Sequence, residues 1–568
     1  MIEWLEAEVC DRGDANRILN RLWKHLHAHK VTAAAFDTET TGLHPILDKP
    51  FLYQCGWYCE EFNKGMSVVI DLEHTPKEVQ DYFLTNWTKL VAQAPIYLGH
   101  HVVFDLHMMA NYGCPYTTDN ISDTQFYIRA SSDAVQTDKG GEPLGLKDWA
   151  VRHISKDANN FEKELKAERT QIAKSYNDSL LKTTGWKKKE FNEFFKDKLN
   201  DYEDLPQDIR AKYIQWHSRL PKYLQQQVTG TVESDMIRYD YLNRSNIKKY
   251  GHLDVQYTLQ CYALCKPVVD VRNNYEQVRR ENEQIYPLFR MERVGFKVNR
   301  DYVSQAKKET KEYTLRRRAD LKQLAGTNLS VGQHAKIKEI LEENYGVKVD
   351  SSGKEELELL VSNLKRQGEQ EECIEFIETI LELRTLEKWY STYICRFDYE
   401  LKRTDRIYTS IHQVETVSGR VSCNFQQFPK EGLVTLDGKE LFSPRAMVIV
   451  DAEYPAIVYL DYSQIELRLQ ALYTYLLEEP DLNLCRAYSP FRCHRADGRR
   501  YNPETDTKEA YQGTWYLDED NTEWIPTDVH GATTEKAFNI TKSDPKFHAL
   551  RYVGKRVNFA RHHWTLVL

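Results

Sequence analysis

The segment Val458-Tyr459-Leu460-Asp461-Tyr462-Ser463-Gln464-Ile465-Glu466-Leu467-Arg468 begins as an apolar run, meets an acid and continues at helical spacing. Ile457 to Leu460 predicts a strand ending at Asp461. Ile465, Leu469 and Leu472 then fall on one stripe of an amphipathic helix. An acid at a strand end can hold a metal ion for phosphoryl transfer. Upstream, Thr416-Val417-Ser418-Gly419-Arg420-Val421-Ser422 precedes Asn424-Phe425-Gln426-Gln427-Phe428-Pro429. Gly419 suits a tight turn, and Arg420 can fork two hydrogen bonds onto an acceptor pair. Downstream, Asp528-Val529-His530-Gly531-Ala532-Thr533 is followed by Ser543-Asp544-Pro545, which predicts a helix capped by Ser543. Arg551, Lys555 and Phe559 share a face of that helix, and two cations with a ring suit triphosphate oxygens and a nucleobase. A phosphate-binding P-loop is excluded, because Arg556 follows Gly554-Lys555 and residue 549 is Ala549.

A second constellation lies far upstream. Phe36-Asp37-Thr38-Glu39-Thr40 sets two carboxylates two residues apart at the end of a predicted strand, Val31 to Phe36, so both face one side. Neighbouring acids repel unless a hard divalent cation with oxygen ligands stands between them. Ala94 to Leu98 predicts another strand, and Phe104-Asp105 opens a helical stretch beyond it. Tyr250 and Asp254 are four apart on a further helix. Asp37, Glu39, Asp105 and Asp254 with Tyr250 make a two-metal nuclease site, in which the tyrosine can orient the attacking water. Taken singly, each of these acids reads better as a cap or a surface charge.

The chain has 568 residues, a net charge of −8, 41% apolar and 29% charged residues. That is a soluble composition too long for one core, so two to four domains are expected. No stretch is long enough to span a bilayer, and Met1-Ile2-Glu3-Trp4-Leu5-Glu6 resembles no signal peptide. The scattered cysteines predict reduced thiols in the cytoplasm, and Cys485, Cys493 and His494 do not match a paired zinc spacing. Lys307, Lys308, Lys311, Arg316, Arg317, Arg318 and Lys322 crowd one segment that reads as a solvated helix face or as a local basic surface for nucleic acid.

Together the acid sites resemble the DnaQ-like 3′→5′ exonuclease domain of proofreading polymerases, with its three motifs in order. The resemblance implies that Asp37, Glu39, Asp105 and Asp254 hold metals, that Tyr250 positions water, and that Asp123-Thr124 supports them. His101 stands where that family has asparagine. From Pro287 onward the chain resembles the polymerase domain of A-family (DNA polymerase I-like, phage-type) enzymes. Met291-Glu292-Arg293-Val294-Gly295-Phe296-Lys297-Val298 resembles its start. Arg384-Thr385-Leu386-Glu387-Lys388 with Ser391-Thr392-Tyr393 resembles the end of its thumb. The segment around Asp461 resembles its palm motif. This resemblance implies primer-template contacts by Arg420 and Gln427, and metal binding by Asp461. It implies deoxynucleotide binding by Tyr462, Gln464, Glu466 (a gate against a ribose 2′-hydroxyl), His530, Arg551, Lys555 and Phe559. Mg²⁺ or Mn²⁺ is implied, two ions per site.

The expected architecture is α/β and multidomain. An RNase H-like exonuclease domain over 1–270, with a helical insertion at about 155–245, precedes the start of the polymerase and its thumb over 271–404. The first part of the palm follows over 405–475, and partial fingers over 476–568. Ala560 and His563-Trp564 depart from the family's fingers pattern, and no Asp or Glu follows Asp544. The second palm acid is then expected on another polypeptide, as in a split, intron-interrupted or frameshifted gene of phage type acting in a bacterial host cytoplasm. The partners implied are primer-template and single-stranded DNA, deoxynucleoside triphosphates and that second polypeptide, with no membrane. A stand-alone exonuclease and a non-catalytic DNA-binding remnant are the competing readings.

Overall fold

The run Ala33-Ala34-Ala35-Phe36, uncharged and mostly small, is fully buried inside a sheet. The structure, a computed structural model, describes residues 2–114, 118–132, 141–197, 199–368, 370–429, 431–462, 465–477, 499–502, 507–510, 516–517, 523–524 and 529–555. The chain forms two compact units, residues 1–455 and 456–568.

The sheet of the first unit contains β1 (Glu3–Glu8), β2 (Ala33–Thr40), β3 (Pro50–Cys59), β4 (Lys64–Asp71), β5 (Tyr97–Gly99) and β6 (Ile121–Asp123). Its order is β1-β4-β3-β2-β5-β6. β2, β3 and β4 pair antiparallel, and the remaining pairs are parallel. Helices α1 (Arg12–His27), α2 (Lys77–Val91), α3 (Val102–Tyr112), α4 (Thr124–Ser131) and α5 (Leu146–His153) connect and flank these strands. The predicted insertion contains α6 (Asn160–Thr184), α7 (Lys188–Lys196), α8 (Gln207–His217) and α9 (Lys222–Gln227). Leu165, Phe191, Tyr213 and Trp216 give it an apolar core that reaches Phe51, Leu52 and Val69 of the sheet. Helix α10 (Arg244–Arg272) then crosses β2, β3 and β4.

Two strand expectations need correction. β2 does not end before its acids; it continues through Asp37 and Glu39 to Thr40, because β3 supplies partners that far, Asp37 opposite Gln54 and Glu39 opposite Leu52. β5 is shorter and later than Ala94 to Leu98, since only its paired residues are strand. The crossing of α10 over β3 depends on Gly56. A Cβ there would stand 2.3 Å from the Met66 carbonyl oxygen and 2.8 Å from Val255 Cγ1.

Helices α11 (Tyr275–Val294), α12 (Arg300–Ala325), α13 (His334–Tyr345), α14 (Lys354–Gln367), α15 (Glu371–Trp389) and α16 (Cys395–Arg403) continue the unit, with a π-helical turn, Tyr390–Ile394, between the last two. Phe376, Ile380, Leu383, Phe397 and Phe442 anchor their core. The basic segment on α12 is not simply a solvated or DNA-facing surface. Lys307 pairs with Asp398 at 2.7 Å, Lys311 with Asp204 at 2.8 Å, and Arg317 with the buried Glu382 at 2.6 Å. Arg318 binds Asp197 and Glu387. Asp197 and Asp204 belong to the inserted segment, so Lys311 and Arg318 fasten the insertion to α12.

In the second unit, α17 (Ile465–Tyr475) and α18 (Val529–Phe538) are helical, and residues 547–555 form a further helix. The predicted strand Ile457 to Leu460 is irregular and exposed, since no described strand pairs with it. Helix α17 buries Leu467 and Ala471, one turn apart, while Leu469 and Leu472 are exposed, contrary to the predicted stripe. The last helix starts at 547, not after Ser543. The Ser543 hydroxyl pairs with Thr541 Oγ1 at 2.8 Å, and the Asp544 carbonyl accepts from Phe547 N to close a turn first. No described helix is long and apolar enough to cross a membrane.

Gly56→Ala is expected to destabilise the first unit by about 1–3 kcal/mol through overpacking of α10 on β3. Chemical denaturation followed by tryptophan fluorescence checks this, and an unchanged midpoint would refute the close approach.

Candidate metal centre and nucleic-acid interface

Side chains two apart on β2 share a face, so Asp37 and Glu39 point together toward α10. Asp254, on α10, completes a group whose ligand oxygens lie within 4.8 Å of one another. Glu39 and Asp254 are buried, and Asp37 is partly exposed. Burial pushes the Asp37 carboxyl up to about 6. Burial, and then the neighbouring Asp37, push Glu39 well above the usual carboxylate range. Asp105, on α3, is 1% exposed and accepts a 2.6 Å hydrogen bond from Thr38 Oγ1. It stands beside the triad rather than in it, and burial with the Asp37 charge raises its pKa. Tyr250 lies one helical turn before Asp254, and burial and then Glu39 push its phenol well up.

Two residues at this cluster went unnoticed in the sequence. Gln54, opposite Asp37 on β3, donates its amide to Asp37 Oδ2 at 2.6 Å and to Glu39 Oε1 at 3.2 Å. A lone amide inside an otherwise apolar ten-residue strand was the available signal. Lys147, on α5, places its ammonium against Asp254 and 4.2 Å from the Tyr250 ring centre. Burial lowers its pKa to about 8, while Asp37 and Glu39 work in the other direction. No local pattern marks Lys147, because α5 joins the site only through folding.

The candidate ligand atoms are all carboxylate oxygens, and burial makes Asp37, Glu39 and Asp105 resist ionisation. Gln54 Oε1 is buried without a hydrogen-bond partner. Those properties fit hard divalent cations. Asp123 plays a structural part instead. Its carboxylate accepts from Val102 N at 2.7 Å and Gln125 N at 2.8 Å, tying the starts of α3 and α4 together. His101 precedes α3 in a left-handed conformation, φ 59°, and stacks on His412 at 5.4 Å.

The Met291-Glu292-Arg293 stretch forms a joint. Glu292 Oε2 meets His107 Nε2 of α3 at 2.7 Å, and its Oε1 accepts from Ile411 N. Arg293 donates to the Pro45 carbonyl at 3.2 Å and to Asn111 Oδ1 at 3.0 Å. Arg420 sits beyond a turn at Gly419, φ 72°, between the paired segments Ile411–His412 and Ser422–Cys423. Arg129 of α4 donates to the Val417 carbonyl at 3.2 Å, holding that turn against the first sheet's helices.

In the second unit, Asp461 and Tyr462 are exposed in irregular chain, and Glu466 is exposed on α17. His530 is 2% exposed on α18. Arg551 and Lys555 share the 547–555 helix, which packs on α18 at Gly554, where a Cβ would stand 2.2 Å from Thr534 Oγ1. His530 and the two cations therefore come from packed helices. Among the described residues, Asp461 joins no cluster of metal-ligating side chains. Gln464, Phe559, Asp528, Cys485, Cys493, His494 and the side chain of Gln427 lie outside the described residues.

The profile of DNA polymerase family A matches residues 300–562. The thermostable DNA polymerase I of Thermus aquaticus is 28% identical over 202 residues, 35% of this chain and 23% of that protein. DNA polymerase I of Helicobacter pylori is 27% identical over 187 residues, 32% of this chain and 20% of that protein. The chain thus matches about a quarter or less of these relatives' lengths. The POL domain of Pol1 from M. smegmatis, solved in complex with DNA primer-template and dNTP, aligns with a TM-score of 0.55 at 13% identity, over 97% of this chain and 70% of that one. That likeness is one of fold. Over residues 300–562, somewhat under half of its length, the chain is similar to DNA polymerase family A.

Proposed function

We propose that the chain acts in DNA-templated DNA synthesis and carries a metal-dependent 3′→5′ proofreading exonuclease at Asp37, Glu39, Asp105 and Asp254, in an RNase H-like domain. The observation that carries this reading is the carboxylate triad on β2 and α10, in the same chain as a family A region. The partners in this reading are single-stranded and primer-template DNA and deoxynucleoside triphosphates.

Asp37, Glu39 and Asp254 would hold Mg²⁺ or Mn²⁺, two ions with Asp105 included. Bound divalent ions supply charge to offset the phosphodiester and to acidify a water. The chain's own groups do the rest. Gln54 fixes the Asp37 and Glu39 carboxylates from across the sheet, and Thr38 fixes Asp105. Tyr250 keeps its proton at neutral pH and can orient the attacking water. The Lys147 ammonium offsets part of the negative charge. In the polymerase region, Arg420 and Gln427 would touch primer-template. Asp461 would bind metal, with Tyr462, Gln464, Glu466, His530, Arg551, Lys555 and Phe559 about the incoming nucleotide.

A 5′-labelled primer on a longer template, with Mg²⁺ and four deoxynucleotides, tests both halves on a sequencing gel. Shortened primers are expected of this chain alone. Asp37→Ala and Asp37→Asn should each slow shortening by roughly a thousandfold or more, as loss of several kcal/mol of charge stabilisation implies. Full activity in both variants would refute the site.

Stability should follow the same charges. A carboxyl whose folded pKa is raised favours the folded state at low pH and loses that advantage as pH rises. Metal-free protein should therefore lose stability from about pH 4, the unfolded value, through about 6 and beyond. Mg²⁺ at about a hundred times its Kd should restore roughly 2.7 kcal/mol at neutral pH. The Asp37→Asn variant should gain less. Thermal melts across pH with and without Mg²⁺ decide it, and a melting temperature indifferent to metal would count against the site.

A further inference from the structure

Helix α3 carries Asp105, yet three of its side chains are held by residues far beyond it in sequence. His101, at its start, stacks on His412 with ring centres 5.4 Å apart. His107 Nε2 meets Glu292 Oε2 at 2.7 Å. Asn111 accepts from Arg293 at 3.0 Å. Asp105 lies between the first two of these anchors, four residues after His101 and two before His107.

The anchoring segment is the hairpin that carries Arg420. Glu292 is 5% exposed, and its second carboxylate oxygen accepts from Ile411 N at the hairpin's base. Gln413 is buried and donates to the Glu281 carbonyl and carboxylate of α11 at 2.9 Å. Val414 belongs to the apolar core of the first sheet, not to that of α12–α16. Thr416 Oγ1 donates to the Arg420 carbonyl at 2.6 Å and closes the turn. The turn bearing Arg420 is therefore mounted on the acid domain.

Two features make this mounting responsive. His101 has φ 59°, a left-handed conformation that a residue with a β-carbon seldom adopts and that persists only where its surroundings hold it. His412 is that hold, and losing it frees the first turn of α3, one turn from Asp105. Glu292 acts on the other side of Asp105. A buried carboxylate is costly to leave short of a donor, so its contacts with Ile411 and His107 depend on each other.

We propose that Glu292 and His412 are positioning residues for the acid site, setting Asp105 through α3 and tying its place to the hairpin of Arg420. Duplex DNA held at that hairpin fixes Ile411 and His412, and through them α3. The acid site then works faster on a strand attached to duplex than on a free strand. This inference rests on the exonuclease reading and on contact of Arg420 with primer-template.

The test gives the full chain, with Mg²⁺ and enzyme in saturating excess, two substrates ending in the same unpaired 3′ tail. One is a free strand, and in the other the tail extends from a hairpin duplex. The ratio of their maximal single-turnover rates, attached over free, reads the coupling apart from affinity. Wild type should give about five- to tenfold, the lower range of ordinary coupling between sites. Arg420→Ala, Glu292→Leu and His412→Ala should each bring the ratio near one. Glu292→Gln, whose amide keeps an acceptor for Ile411 N, should retain part of it. Arg420→Ala combined with Glu292→Leu should lower the ratio no further than either alone, because both break one connection. Should Glu292→Leu fail to fold, His412→Ala and Glu292→Gln carry the same comparison. A wild-type ratio of one, or an unchanged ratio in His412→Ala and Glu292→Leu, would overturn the proposal. Shortening of the free strand that survives Asp37→Asn would instead remove the exonuclease reading beneath it.

Discussion

Repulsion among the carboxylates on β2 and α10 is the constraint around which the first unit is arranged. Three ligand oxygens within 4.8 Å of one another, two of their side chains buried, are unfavourable unless positive charge and hydrogen-bond donors surround them. The chain supplies such partners from other elements, Gln54 from β3 and Lys147 from α5, while Thr38 of β2 serves the adjacent Asp105. Each arrives because an apolar framework brings its element there. Gly56 lets α10 lie against β3, and Asp123 ties α3 to α4.

Charge pairing also joins the acid site to the family A region. Glu292 takes His107 of α3 on one oxygen and the backbone of Ile411 on the other, so one buried carboxylate binds the helix of Asp105 to the hairpin of Arg420. Arg293 and Arg129 add contacts across the same seam. On the other side, Arg318 and Lys311 hold the inserted segment through Asp197 and Asp204. A segment that looks like a strongly basic surface is thus largely spent on internal pairing, and the composition of one helix could not reveal its acidic partners on others.

Much of the acid site was legible in the residues themselves. Asp37 and Glu39 follow from side-chain alternation along a strand, and Tyr250 with Asp254 from the four-residue repeat of a helix. Those rules are local and hold in any surroundings. The strand through Asp37 was read too short for the opposite reason: its length is set by how far β3 runs alongside it. Ile457 to Leu460 shows the same dependence. Its apolar run carries strand propensity, but propensity without a neighbour to accept its hydrogen bonds leaves the chain irregular.

Residue order and spacing alone thus determined the grouping of the acids with the tyrosine and the two cations on one helical face, and the resemblance of its motifs pointed to family A, whose profile matches residues 300–562. Only tertiary structure decided that Gln54 and Lys147 belong with those acids, and that Asp105 leans on Thr38 beside the triad. It also decided that α3 is anchored by Glu292 and His412 from far along the chain. The division has a physical cause. Periodicity fixes directions within one element, whereas desolvation and pairing depend on which elements meet, and those contacts here span more than a hundred residues of chain.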